Sequence, residues 1–142
     1  MRILYKFDPE TFMYLGKLLP EEQQGDEENV TQVVPPYNDF RFNIKWYPAE
    51  NTWSYVENKA FSGQIQPPGV ISEYEAVLTY KYIRDFQYPP YTDYLDGIVK
   101  GDEEQVALYI QKCKDVKLRW PKDTPDMTMR EYWIQIGKIR ID

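Results

Sequence analysis

Phe40, Phe42, Ile44 and Trp46 alternate with Arg41, Asn43, Lys45 and Tyr47. A strict period of two over this stretch predicts a strand with one face buried. Pro48-Ala49-Glu50-Asn51 turns the chain, and Thr52 to Val56 returns with Trp53 and Tyr55 on one face and Ser54 on the other. Upstream, Ile3 to Phe7 and Phe12 to Leu19 predict a hairpin around Asp8-Pro9-Glu10-Thr11, where proline pre-sets φ after an aspartate. Pro20 to Asn29 holds five acidic residues and reads as a mobile surface loop. Val30 to Val34 is a short strand stopped by Pro35-Pro36.

Beyond Glu57 the period changes. Gly63, Pro67, Pro68 and Gly69 mark a linker or crossing loop. Ser72-Glu73-Tyr74-Glu75 has the spacing of a capping box, with Tyr74, Val77, Leu78 and Tyr82 on one helical face. Pro89-Pro90 stops that helix. Thr92 is placed to cap a short helix carrying Leu95, Ile98 and Val99, which Gly101 ends. Asp102, with Gln105 three residues on, opens the best helix of the chain. Val106, Tyr109, Ile110, Cys113, Val116 and Trp120 form its stripe. Lys112, Lys114, Lys117 and Arg119 lie on its outer face towards the C-terminal end, where the helix dipole favours cations. The tail is ambiguous. Thr128 to Trp133 fits a helical turn, whereas Ile134 to Ile136 and Ile139 to Ile141 read better as strand. Such a strand would pair with the N-terminal sheet or add to a partner's.

The fold class expected is α+β: a small antiparallel β module over 1–60, a linker over 61–70, two to three helices over 71–122, and a tail over 123–142 that is a strand in one reading.

Composition narrows the chemistry. The chain has 142 residues, 17 basic and 23 acidic, for a net charge of −6, with no histidine and one cysteine. A Ser–His–Asp triad, a Cys–His pair and a His-ligated zinc site are excluded, as is an internal disulfide framework. The acidic balance argues against a nucleic-acid grip. No apolar run approaches the roughly 20 residues that span a bilayer, so membrane insertion is not expected. The first residues become charged too soon for a signal peptide.

Asp93, Asp96 and Asp102 are the carboxylates a hydrolase would use, but helix capping accounts for them. Glu21, Glu22, Asp26, Glu27 and Glu28 lack the spacing of a calcium loop. Cys113 falls on an apolar stripe, with no histidine to activate it. No catalytic, cofactor-binding or metal-binding residue is assigned. The aromatics carry more information. Core packing is expected of Phe40, Phe42, Ile44 and Trp46. Tyr47, Trp53 and Tyr55 are interface candidates, because Tyr and Trp bury apolar area while keeping a polar tip. A second cluster, Tyr80, Tyr82, Phe86, Tyr88, Tyr91 and Tyr94, exceeds what one short helix can bury. Tyr88, Tyr91 and Tyr94 join the interface set, as do Ile134 and Ile136 of the expected tail strand.

Tyr5-Lys6-Phe7-Asp8-Pro9-Glu10-Thr11 and Tyr14-Leu15-Gly16 precede Thr31-Gln32-Val33-Val34-Pro35-Pro36 and the run from Trp46 to Trp53-Ser54-Tyr55-Val56. In this order they resemble the N-terminal module of tail-fibre assembly and tail-fibre-associated proteins of tailed bacteriophages. Glu57-Asn58-Lys59-Ala60 stands where that family has D-x-R-G. Tyr88-Pro89-Pro90-Tyr91-Thr92-Asp93-Tyr94-Leu95-Asp96, Lys100-Gly101-Asp102 and Val116-Lys117-Leu118-Arg119-Trp120-Pro121-Lys122 look like a helical segment of small phage virion proteins. The resemblance implies a non-enzymatic protein of the tail apparatus, made in the host cytoplasm and ending in the virion. It would be a fibre or baseplate component, or a factor that binds the fibre protein during assembly. Its partners would be fibre or baseplate proteins, with self-association within a virion assembly. The alternative is a carbohydrate-binding tip in which Tyr47, Trp53 and Tyr55 stack on a host-surface glycan.

Overall fold

The computed structural model describes residues 2–62 and 72–141. The expected linker at Gly63, Pro67, Pro68 and Gly69 lies outside the described residues. The chain is a mixed α+β protein, with small antiparallel sheets in its first half and helices after them. It divides into two compact units. One combines Met1–Tyr74 with Trp133–Asp142, and the other is Glu75–Tyr132. The division therefore falls at neither 60 nor 123, because the tail rejoins the first unit.

In the first unit, β1 (Leu4–Phe7) lies between β2 (Tyr14–Leu18) and β3 (Val30–Thr31), antiparallel to both. Asp8 sets the hairpin: its Oδ1 accepts from the amides of Glu10 at 2.8 Å and Thr11 at 2.9 Å. Leu15 is an extra residue at a bulge, since Lys6 faces Gly16 and Phe7 faces Tyr14. The second sheet pairs β4 (Phe42–Tyr47) with β5 (Thr52–Glu57), with Trp46 opposite Trp53. The alternation in β4 is realised, since Phe42, Ile44 and Trp46 are all buried. Phe40 departs from it. That residue precedes the strand, is 73% exposed, and meets Phe61 of the short helix α1 (Lys59–Ser62) edge-on at 5.4 Å.

Two aromatic groups hold this unit. Ile44, Trp46 and Trp53 form one core, packed by Tyr5, Phe7, Phe12 and Tyr14. The Trp46 and Trp53 rings are 5.0 Å apart, and Tyr14 meets Trp53 edge-on at 5.4 Å. Trp53 Nε1 donates to the Val33 carbonyl at 2.8 Å, so the indole loses no hydrogen bond on burial. In the other group, Phe42 and Tyr74 each meet Trp133 edge-on at 4.9 Å.

Tyr74 explains a missing helix start. Glu73–Glu75 makes a single 3-10 turn, and no helix begins at Ser72. Tyr74 is fully buried, its hydroxyl donating to the Arg41 carbonyl and accepting from the Asn58 amide at 3.2 Å. Glu73 takes Arg41 Nη1 at 2.7 Å. Burial of a large ring outweighs a cap, which contributes only about 1 kcal/mol.

In the second unit, β6 (Val77–Leu78) pairs with β7 (Met127–Thr128), flanking α2 (Tyr80–Gln87), α3 (Tyr91–Lys100) and α4 (Glu103–Arg119). α3 starts at Tyr91 behind Pro90, so Thr92 lies in its first turn and does not cap it. Gly101 ends α3 in the left-handed region, and Asp102 caps α4 through the Gln105 amide at 3.1 Å. The tail does hold a strand, β7, but at Met127–Thr128 and not at Ile134–Ile141. Thr128 Oγ1 accepts from the Glu131 amide at 3.2 Å, and Glu131 Oε1 accepts from the Thr128 hydroxyl at 3.0 Å. This box starts α5 (Met129–Gln135), so Ile134 is helical and Ile136 sits in the turn after it. Among the described residues, the tail pairs with the N-terminal strands through one parallel bridge, Arg140 with Val56. No helix among the described residues is long and apolar enough to cross a membrane.

Candidate functional site

The outer edge of β5 borders a groove of about 480 Å³ within the first unit. Pro36, Trp53, Ser54 and Tyr55 form one wall, and Ile134 with 137–141 forms the other. The Tyr55 carbonyl accepts from the Arg140 amide at 2.9 Å, so it points away from β4. Backbone groups alternate along a strand, so those of Trp53 point the same way, into the groove wall.

The groove is cationic and aromatic. Lys138 Nζ lies 5.0 Å from the Tyr55 ring centre. The Arg140 guanidinium lies 3.9 Å from the Tyr47 ring centre and pairs with Glu50. The Tyr55 hydroxyl donates to the Tyr37 carbonyl, and burial, then the Asp39 charge, pushes its pKa above the usual phenol value. Tyr55 therefore stays neutral and anchored.

The expected interface residues separate. Tyr55 and Ile134 line this groove together, with Tyr47 beside it under Arg140. Trp53 is only 6% exposed, its ring committed to the core and to Val33, which leaves no open face for a sugar. Ile136 does not line the groove. Pro36, Lys138 and Arg140 were not in the expected set. Their only sequence signal is two cations spaced by two around Ile139, uninformative until the tail returns to β5.

Tyr88 and Tyr91 line a separate groove of about 490 Å³ in the second unit, with Pro89, Pro90, Tyr109 and Lys117. Tyr91 is 70% exposed. Tyr94 packs instead against Tyr109, with ring centres 5.5 Å apart.

The carboxylates behave as caps and ion-pair members. Asp96 Oδ2 meets Lys100 Nζ at 2.7 Å and Gln105 Nε2 at 3.1 Å. The Lys100 hydrogen bond, then that of Gln105, lowers the Asp96 pKa. A glycosidase general acid needs the opposite shift. Among the described residues no group of His, Cys, Asp or Glu is arranged to hold a metal ion.

No protein-family model, no curated protein and no solved structure matches the chain.

Proposed function

We propose that this chain is a non-enzymatic bacteriophage tail protein: a small adaptor of the tail fibre or baseplate, or a factor that binds the fibre protein during assembly. The observation that carries this reading is the groove along the β5 edge. Its edge turns the backbone of Trp53 outward beside Tyr55, whose carbonyl the tail's Arg140 amide already takes, and Lys138, Arg140 and the exposed Ile141 flank it. Such an edge suits an extended segment that adds as a strand, with backbone hydrogen bonds giving affinity and flanking side chains giving specificity. The motifs that resemble those of tail-fibre proteins support the same reading. Asp8 builds the first turn, Val33 holds Trp53, and Trp46 pairs with Trp53. They act as scaffold, so contact with a partner falls to residues around them.

The test is capture of the phage's fibre and baseplate proteins by the full chain. Lys138→Glu and Ile141→Asp change exposed groove positions and should each weaken capture roughly tenfold, the effect of about 1.4 kcal/mol, with unchanged circular dichroism. Capture that ignores both substitutions would move the interface off this groove. No capture of any tail protein at micromolar concentration would remove the tail assignment. Mass spectrometry of purified virions separates a resident component from an assembly factor.

A further inference from the structure

The outer face of α4 is largely open to solvent. No residue of this helix is fully buried, and Ile110 and Leu118 are 43% and 79% exposed. Its charges are largely segregated, with Asp115 the one acid in the basic half. Asp102, Glu103 and Glu104 open the helix, and Lys114, Lys117 and Arg119 close it. Glu103, Ile110 and Lys117 are spaced by seven and share one edge of that face. Read along the helix, this row is acid, apolar, base. Turned end for end, it becomes its own complement.

Beside the row lies an apolar groove of about 280 Å³ formed by Gly97, Ile98, Val106, Ala107 and Ile110, with Asp102 and Glu103 at its rim. It covers the N-terminal half of α4. In an antiparallel pair the C-terminal half of a second α4 would lie over it. Lys114 and Lys117 would lay their apolar stems on the groove and direct their ammonium groups at the acidic rim. Leu118 would bring apolar area to the same contact.

We propose that the chain self-associates through α4 as an antiparallel, two-fold symmetric dimer centred on Ile110. Glu103 of each copy then faces Lys117 of the other, and Ile110 meets Ile110. Two-fold symmetry requires such a self-complementary patch and gives a closed pair. The charge order specifies antiparallel pairing, because a parallel pair would set like charges against each other. This inference does not rest on the tail assignment and stands or falls separately from it.

The test is sedimentation velocity of the full chain over a concentration series, with a charge swap. The wild type should shift from one to two copies as concentration rises, and less so at high salt. Glu103→Lys and Lys117→Glu should each weaken the dimer by roughly tenfold, since each replaces two attractive contacts with two repulsive ones. The double variant Glu103→Lys/Lys117→Glu should restore it. Both positions are exposed, and helical circular dichroism checks that each variant is folded. Ile110→Asp, which buries a charge at the centre, should abolish the dimer even if a charge variant is poorly folded. A chain that stays monomeric throughout, or a dimer indifferent to these changes, or a double variant no better than the singles, would overturn the proposal.

Discussion

Arg41 ties Asp39 to Glu73 in the first unit. Its Nε meets Asp39 Oδ1 at 3.0 Å, its Nη2 meets Asp39 Oδ2 at 2.8 Å, and its Nη1 meets Glu73. Hydrogen bonding from the Arg41 side chain holds the Asp39 carboxyl below the usual carboxylate range. A depressed carboxylate pKa contributes stability that is full above the unfolded value. That stability is lost as pH falls through the folded one. The unit should therefore lose stability on acidification below about pH 4, the unfolded aspartate value. Asp39→Asn should cost about 2 kcal/mol near neutrality, in the range of charge-assisted hydrogen bonds. It should also flatten the acid side of the profile. Urea titrations at several pH values check both, and an unchanged acid slope would show that the pair is not its source. Trp53 gives a second prediction at this scale. Trp53→Ala should cost about 3–5 kcal/mol, as a deleted core ring does, and Trp53→Phe less, although it leaves the Val33 carbonyl without its donor. Equal and small costs for both would mean that the ring is not the keystone its contacts indicate.

Helices α3 and α4 meet through two glycines with different duties. Gly101 has φ +70°, and a Cβ there would meet nothing within 4 Å. Gly101→Ala should thus cost about 1 kcal/mol through backbone strain alone. At Gly97 a Cβ would lie 3.0 Å from Val106 Cγ2. Gly97→Val should therefore force the helices apart and cost more than Gly101→Ala, and thermal melts of the two variants rank them. The Gly101-Asp102 boundary is legible in sequence because a C-cap glycine and an N-cap aspartate act within a few residues. β4 is legible because one buried face writes itself at every second position. Tyr74 is not, since a long-range aromatic contact overrides a local cap. Nor is α5. Its capping box, Thr128-x-x-Glu131, is present in the letters, but Ile134, Ile136, Ile139 and Ile141 imitate a strand's period. The groove is least legible of all. Lys138 and Arg140 reach Tyr55 only when residues far apart in the chain are brought together.

At the scale of the whole molecule, the first unit is discontinuous in sequence, with Glu75–Tyr132 inserted between its two parts. The closing part is short, but it supplies Trp133 and Ile139, at 6% and 4% exposure. Trp133 contacts both Phe42 and Tyr74, and Arg140 bridges to β5. Loss of one such aromatic costs about 3–5 kcal/mol, and a buried isoleucine adds about 2–5. Their sum rivals the total stability of a small domain, about 5–15 kcal/mol. A chain truncated after Tyr132 should therefore lose amide protection in β4 and β5. Amides of α4 should keep theirs, because the elements that flank it, α2 and α3, lie within Glu75–Tyr132. Hydrogen exchange resolved by segment reads both outcomes in one experiment. Retained protection in β4 and β5 would mean that the tail only decorates the unit. Loss of protection would mean that removing the tail to test partner binding destroys the groove along with the ligand-facing residues. Point substitutions at Lys138 and Ile141 are therefore the right probes of that surface.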